Sequence, residues 1–174
     1  MARIPYADAS RSDAQALTER IVSERGSVLH LYQMLMHSPP VAEGWLNYLT
    51  AIRQKTSLTG AMRELIIMRV ALLNNAPYEA DQHGPIALKE GVSQEKLDAL
   101  GDWRSCPLFD EQERAVLAYT DAITRQIQVP DDVFGSVSAL FAPPQLVEIT
   151  ATIAAYNMVS RFLEALQIHS HDAR

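Results

Sequence analysis

Three residues in the middle of the chain have the types and spacing of an acid–base site. In the segment NNAPYEADQH, Glu79 and His83 stand four residues apart, and Glu64 lies in the apolar stretch just before it. Residues four apart on a helix share a face. A histidine exchanges its proton near neutral pH, and a carboxylate beside it can orient the ring. On spacing alone, a surface pair near a helix start remains the simpler interpretation of Glu79 and His83.

A helical hairpin would bring Glu64 to the same place. The stretch ELIIMRVALL is apolar almost all round, which predicts a central buried helix, and Thr59 is suited to cap it. A turn at Asn74-Asn75 would then lead to a second helix beginning near Pro77. In an antiparallel pair, Glu64 lies about 11 residues before the turn and His83 about 7 or 8 after it. At about 1.5 Å per residue their offset is only about 5 Å, so the three side chains can converge.

A carboxylate at position 64 has two interpretations, and the sequence leaves both open. Burying a carboxylate costs several kcal/mol unless it is paired or protonated. Glu64 is therefore either one half of an internal ion pair, with Arg63, Arg69 or a distant arginine, or a working acid or base.

The rest of the chain predicts the same fold class. Helical periodicity dominates, and strand and hairpin signals are nearly absent. We therefore predict an all-α helical bundle with a central antiparallel helix hairpin, built as one domain over residues 1–174. Pro85 is expected to kink or restart its helix, because proline removes a backbone donor.

Composition excludes several classes of function. The net charge of −6 and the pI near 5.3 argue against nucleic acid or an anionic membrane as partner. No apolar run reaches the roughly 20 residues of a membrane helix, and the N-terminus lacks the apolar core of a signal peptide. The single cysteine, Cys106, cannot form an internal disulfide. We expect a cytoplasmic protein. There is no phosphate-binding glycine loop, no G-x-S-x-G and no zinc-type spacing, and we expect no cofactor.

Other side chains are candidates for binding a substrate. Tyr78 is adjacent to Glu79, and His37 and Trp45 could line a pocket. A substrate carboxylate would need a cation, and the candidates for that role are Arg63, Arg69 and Arg161.

The segment RELIIMRVALLNNAPYEADQHGPIALKEGVSQEKLDAL resembles the carboxymuconolactone decarboxylase family, which includes the alkyl hydroperoxidase D-like proteins. The resemblance centres on residues 58–100. It extends more loosely through HSP, FDEQERAVLAYTDAIT and PPQLVEITATIAAYNMVSRFLEAL. It implies the alkyl hydroperoxidase D-like helical fold and a homo-oligomer, a trimer or a hexamer.

One branch of that family carries a C-x-x-C pair between the glutamate and the histidine. Glu64 and His83 match those two positions, and the cysteine positions fall on Ala76 and Glu79. A thiol peroxidase needs a thiolate nucleophile and a resolving thiol. Neither alanine nor glutamate supplies one, and Cys106 lies outside the motif. Thiol peroxidase and disulfide reductase activities are therefore not expected.

The other branch implies a cofactor-independent lyase that decarboxylates a small carboxylated lactone, or a related carbon acid, in aromatic catabolism. On this basis His83 protonates carbon or stabilises an enolate, Glu79 orients His83, and Glu64 completes a proton relay or orients the substrate. The same groups could instead serve a lactone hydrolase or an isomerase, or bind a divalent metal. A non-catalytic ligand-binding oligomer is the alternative of a different class.

Overall fold

The structure, a computed structural model, describes residues 1–9 and 11–172. These residues form two short 3-10 helices and nine α-helices, and they contain no strand, which confirms the predicted all-α class. The α-helices are α1 (Gln15–Arg25), α2 (His30–Leu35), α3 (Pro39–Gln54), α4 (Gly60–Leu73), α5 (Pro77–Lys89), α6 (Gln94–Ala99), α7 (Glu111–Gln126), α8 (Asp131–Ser138) and α9 (Pro143–Leu166). Within the described ranges, no helix is both long and apolar enough to cross a membrane.

The backbone forms two compact units. Of the described residues, the first unit comprises 1–9, 11–55 and 163–172, and the second comprises 56–162. In the first unit, a polar chain joins α1 to α3: Arg25 donates to Thr50 over 2.7 Å, and Thr50 donates to Glu24. The hydrogen bond from Thr50, aided by Arg20 and Arg25, holds the pKa of Glu24 below its ordinary value. The second unit contains Glu64, Glu79 and His83.

The α4–α5 hairpin, predicted from the sequence, is closed by a Schellman turn. The Ala76 N–H donates to the Ala71 carbonyl over 2.9 Å, and the Asn75 N–H donates to the Leu72 carbonyl over 3.3 Å. Asn75 has a φ of +50°, a left-handed conformation that asparagine tolerates better than most residues. Pro77 then occupies the first turn of α5, where its missing N–H costs nothing. The local sequence therefore reverses the chain and sends α5 back along α4.

Helix α4 is the central helix of its unit, as its apolar sequence indicates. Thr59 caps it by accepting a hydrogen bond from the Met62 N–H over 3.2 Å. Apolar side chains of the unit form one buried cluster, which consists of Leu65, Ala87, Val92, Leu100, Trp103, Phe109 and Leu117. This packing fixes the rotation of α4 and α5 about their axes, and with it the direction of their polar side chains.

Helix α5 does not restart at Pro85. It is continuous from Pro77 to Lys89, so of the two outcomes predicted for this proline, a kink or a restart, the restart does not occur, and the kink stays a prediction. Tertiary packing of the buried face, which includes Ala87 and His83, keeps the segment helical despite the lost backbone bond. The helix ends where Gly91 takes a φ of +100°, which a residue with a Cβ rarely adopts.

Helix α9 is joined to α7 by polar bonds within the second unit. Asn157 donates through Nδ2 to Thr124 Oγ1 over 2.9 Å, and Tyr119 and Thr150 share a hydrogen bond of the same length. These bonds set the rotation of α9, so that its residues 156 and 160 meet side chains of α5.

Candidate active site

Glu64 and His83 form a buried pair between α4 and α5. Oε2 of Glu64 lies 2.6 Å from Nδ1 of His83, and the Glu64 side chain is fully buried. The other carboxylate oxygen, Oε1, accepts a hydrogen bond from Nε of Arg63 over 3.1 Å. A carboxylate in contact with an arginine is acceptor-only, so Nδ1 of His83 must carry the hydrogen in this contact.

Arg63 is itself held from two sides. Besides its bond to Glu64, its Nη2 lies 3.8 Å from Oε1 of Glu90, whose side chain is 39% exposed. The chain Glu90–Arg63–Glu64–His83 therefore runs from the surface to the buried imidazole.

Glu79 is buried one turn before His83 and bonds to α9. Its carboxyl Oε2 lies 2.9 Å from the hydroxyl of Ser160, which is fully buried. The same hydroxyl lies 2.9 Å from the carbonyl oxygen of Tyr156. The ring of Tyr156 meets the ring of His83 edge-on, with centroids 5.1 Å apart. Helix α9 thus contributes two residues, Tyr156 and Ser160, that the sequence analysis missed.

Arg69, predicted as a substrate-binding residue, forms a buried ion pair with Asp121, and a role in substrate binding stays a prediction for it as well. Its Nε and Nη2 donate to the two oxygens of Asp121 over 2.7 and 3.0 Å, and its Nη1 donates to the Leu100 carbonyl over 2.6 Å. Arg104 donates to Asp121 as well, over 2.9 Å. Burial raises the pKa of the Asp121 carboxyl, but the bonds and charges of Arg69 and Arg104 outweigh it and hold that pKa below its ordinary value.

Arg161 differs from Arg69 in the kind of acceptor it meets. Its Nη1 donates to the carbonyl oxygen and to Oδ1 of Asn157, over 3.0 and 2.6 Å. Both acceptors are neutral, so these bonds leave the charge of the guanidinium uncompensated. Asn157 in turn accepts from Asn74 at the end of α4, over 3.1 Å.

The other three residues predicted to bind a substrate are divided between the two units. Tyr78 is buried on α5, next to Glu79. His37 and Trp45 belong to the first unit: Nε2 of His37 lies 2.7 Å from the Pro5 carbonyl oxygen, and Trp45 is buried on α3. A role in substrate binding stays a prediction for all three. Within residues 1–9 and 11–172, no group of three or more His, Cys, Asp or Glu side chains is arranged to hold a metal ion.

A small apolar pocket opens at the turn between α4 and α5. Its volume is about 380 Å³, and it is lined by Ala71, Leu72, Asn75, Ala76, Pro77 and Ala80. Ala76 occupies the first of the two cysteine positions of the redox branch. Ala76, which lines the pocket, lies three residues before Glu79 in the sequence. Its methyl group takes the place of the cysteine thiol found in the redox branch.

Together these features define a class: an all-α protein with a carboxylate–imidazole pair buried in a central helix hairpin. Residues 39–122 match the model of the Carboxymuconolactone decarboxylase family, and the chain belongs to that family. A relative is the uncharacterized protein YnjA of Escherichia coli (strain K12), which is 31% identical over 126 residues. That match covers 72% of this chain and 66% of YnjA, just under two thirds of its length.

Solved structures confirm the predicted fold. A protein of unknown function from Agrobacterium tumefaciens has a TM-score of 0.74 at 26% identity, covering 80% of this chain and 95% of that one. An alkylhydroperoxidase AhpD core, a peroxidase-related protein from Ralstonia eutropha JMP134, has a TM-score of 0.83 at 19% identity. It covers 98% of this chain and 93% of that one. The chain thus has the alkyl hydroperoxidase D-like fold.

Proposed function

We propose that this protein is an acid–base lyase that removes carbon dioxide from a small carboxylated lactone or a related carbon acid. The observation that carries the proposal is the 2.6 Å contact between Glu64 Oε2 and His83 Nδ1, in a site where Glu64 is fully buried. Family membership supports it, since decarboxylation is the reaction for which the family is named.

The contact supports a proposal in which the two glutamates have different roles from those predicted from the sequence. Glu64, rather than Glu79, is the carboxylate that holds Nδ1 of His83 and so fixes its orientation and tautomer. The ring nitrogen that serves the substrate is then Nε2. Arg63 keeps Glu64 ionised by donating to its other oxygen, so the pair is stable as a carboxylate and a proton-carrying imidazole.

The reaction needs only proton transfer and charge stabilisation. As the bond between carbon and the substrate carboxylate breaks, carbon dioxide leaves and the electron pair moves into the lactone carbonyl, which becomes an enolate. Nε2–H of the His83 imidazolium donates its proton to carbon, the carbonyl re-forms, and a proton from water restores the imidazolium. Glu64 stabilises the positive charge on the ring while it carries two protons.

Arg161 is the arginine best suited to hold the substrate carboxylate. The guanidinium of Arg69 is occupied by the two oxygens of Asp121, and Arg63 is occupied by Glu64. Arg161 bonds to neutral acceptors, lies on an exposed turn of α9 and directly follows Ser160. It can therefore exchange the carbonyl of Asn157 for a carboxylate without stranding a buried charge.

The experiment is a panel assay with small lactones and carboxylated lactones, in which ultraviolet absorbance reports the loss of substrate and a coupled assay reports carbon dioxide. We expect turnover by the native chain and a loss of about 10²- to 10⁴-fold in His83→Gln. His171→Gln is the matched control, because that histidine is exposed in the first unit, and it should keep full activity. Binding without turnover across the panel would instead indicate a ligand-binding protein.

A further inference from the structure

We propose that Glu90 is a positioning residue for the buried pair. Seated on Gly60, it attracts one end of the Arg63 guanidinium and so leaves Oε2 of Glu64 to His83. The contacts behind this inference belong to the second unit alone, and its consequence for turnover rests on the proposed function.

The two arginines of α4 meet their carboxylates in different ways. Arg69 pairs two neighbouring donors, Nε and Nη2, with the two oxygens of Asp121, over 2.7 and 3.0 Å. Arg63 divides the same two donors between two carboxylates. Its Nε donates to Oε1 of Glu64 over 3.1 Å, and its Nη2 lies 3.8 Å from Oε1 of Glu90. Arg63 therefore bonds to one oxygen of Glu64, whereas Arg69 bonds to both oxygens of Asp121.

This division matters because His83 uses the other oxygen of Glu64. Nδ1 of His83 lies 2.6 Å from Oε2. If Arg63 gave both Nε and Nη2 to Glu64, it would adopt the bidentate geometry that arginine favours with a carboxylate. Nη2 would then compete with the imidazole for Oε2. By attracting Nη2, Glu90 keeps Arg63 on Oε1, and the imidazole keeps its acceptor and its orientation.

The turn at the end of α5 brings Glu90 to this place. The Gly91 N–H donates to the Leu88 carbonyl over 3.2 Å, and the Val92 N–H donates to the Ala87 carbonyl over 2.9 Å, which together form a Schellman turn. Val92 and Ala87 belong to the buried apolar cluster, so the turn is anchored in the core. Because α5 runs back along α4, its C-terminal cap, Glu90, lies beside the first turn of α4.

Gly60 leaves the space that the carboxyl group occupies. A Cβ atom on Gly60 would overlap Oε2 and Cδ of Glu90. Gly60 is the first residue of α4, where the helix dipole favours a carboxylate, whereas the dipole disfavours one at the end of α5. Among the described residues, the glycines with a positive φ are Gly26 and Gly91. Gly60 is therefore needed for space and not for its backbone conformation.

Two substitutions remove the seated carboxylate in different ways. Glu90→Ala deletes it, and Gly60→Ala keeps its charge in the chain but displaces it from its seat. Both variants should fold, because alanine is a good helix former and the Glu90 carboxyl group is the end of a flexible, partly exposed side chain. The double variant should behave like Glu90→Ala alone, since no carboxylate is left for the new Cβ atom to displace.

The hydrogen on Nδ1 of His83 reports the positioning without any substrate. An imidazole N–H that donates to a carboxylate gives a proton NMR resonance well downfield of the backbone amides. We expect this resonance in the native chain, and its loss in His83→Gln assigns it. In Glu90→Ala and in Gly60→Ala it should move upfield or broaden, because Nη2 of Arg63 turns toward Oε2 of Glu64.

Two variants in the same unit control for the substitutions themselves. Gly135 lies inside α8, where a Cβ atom would meet open space, and Glu111 is an exposed carboxylate in the first turn of α7. Gly135→Ala and Glu111→Ala should leave the His83 resonance as it is in the native chain. An unchanged resonance in Glu90→Ala or in Gly60→Ala would overturn the inference, and so would additive effects in the double variant.

Turnover gives the second measurement. On a substrate from the lactone panel, Glu90→Ala and Gly60→Ala should lower kcat by about 10- to 100-fold, because the imidazole loses its orientation, and KM should stay nearly unchanged. Glu90→Gln keeps an acceptor oxygen on a side chain of the same length, so it should retain more activity than Glu90→Ala. A changed resonance with an unchanged kcat would overturn the consequence for turnover.

These outcomes separate the two proposals. If no lactone is turned over but the His83 resonance depends on Glu90 and Gly60, the proposed reaction is wrong and the positioning stands. If the panel shows turnover dependent on His83 but both variants keep the native resonance and the native kcat, the reaction stands and the positioning is wrong.

Discussion

At the scale of single residues, Glu64 is the group on which the buried pair depends. One of its oxygens meets Arg63 and the other meets His83, and the side chain is fully buried. A buried carboxylate of this kind is tolerated because both oxygens have a charged or proton-donating partner. Removing the charge therefore affects the two partners at once.

We predict that Glu64→Gln lowers the free energy of unfolding by about 3–5 kcal/mol, because the variant leaves the largely buried Arg63 without its carboxylate. Glu90→Gln is the comparison, since Glu90 meets the same arginine at 3.8 Å and its side chain is 39% exposed. That change should cost less than about 1 kcal/mol. Urea denaturation measures the loss of unfolding free energy in both variants. Equal losses would show that the buried contact between Arg63 and Glu64 contributes no more to stability than the exposed contact between Arg63 and Glu90.

We also predict that the protein does not reduce peroxides through a thiol. Ala76 and Glu79 occupy the two cysteine positions of the redox branch, and Cys106, which is partly buried, is outside the motif. With a dithiol donor, peroxide consumption should equal the background rate without protein. Cys106→Ser should give the same rate as the native chain. Activity that survives this substitution would require a reductive chemistry without cysteine.

At the scale of secondary-structure elements, the ion pair of Arg69 and Asp121 joins α4 to α7. We predict that Asp121→Asn destabilises the protein by about 3–5 kcal/mol at neutral pH, because it leaves Arg69 buried without a charge partner. Arg104→Ala should cost less than about 1 kcal/mol, since that side chain is 59% exposed.

The pH dependence of this loss has a definite sign. Because the pKa of Asp121 is lowered in the folded state, its contribution to stability is fully present above the ordinary value of 3.8. It disappears as the pH falls through the lower folded value. The difference in unfolding free energy between the native chain and Asp121→Asn should therefore shrink as the pH falls below about 3.8. If the difference in unfolding free energy grew as the pH fell, it would contradict the inference that Arg69 and Arg104 lower the pKa of Asp121 in the folded state.

The elements also show which parts of the site the sequence could predict. The proximity of Glu64 and His83 could be predicted from local sequence alone. The turn at Asn74-Asn75 is recognisable, and the rise per residue of the helices on either side of it places the two residues at nearly the same height. Ser160 lies 81 residues from its partner Glu79, on a helix whose pattern indicates only an apolar core. The partner of Arg69 was equally remote, because Asp121 is 52 residues away. Long-range side-chain partners depend on helix packing angles, which periodicity does not contain.

At the scale of the whole molecule, the homo-oligomer implied by the family resemblance remains a proposal, and one surface of the second unit is suited to it. A groove of about 490 Å³ runs along α9 and is lined by Phe134, Pro143, Leu146, Val147, Thr150, Ala151 and Ala154. The α9 members recur three or four residues apart, so they form one helix face. Val147 is 68% exposed and Phe134 46%, which is costly in water at roughly 25 cal/mol per Å² of apolar surface.

We predict that a second copy of the chain covers this groove and that Val147→Arg breaks the assembly, because the substitution places a charge in a surface that must desolvate on association. Light scattering coupled to size exclusion should show the native mass as a multiple of 19.3 kDa and a smaller mass for the variant. Val41→Arg is the matched control, because Val41 is a half-exposed valine on α3 of the first unit. An unchanged mass in Val147→Arg, or an equal effect in Val41→Arg, would place the interface elsewhere.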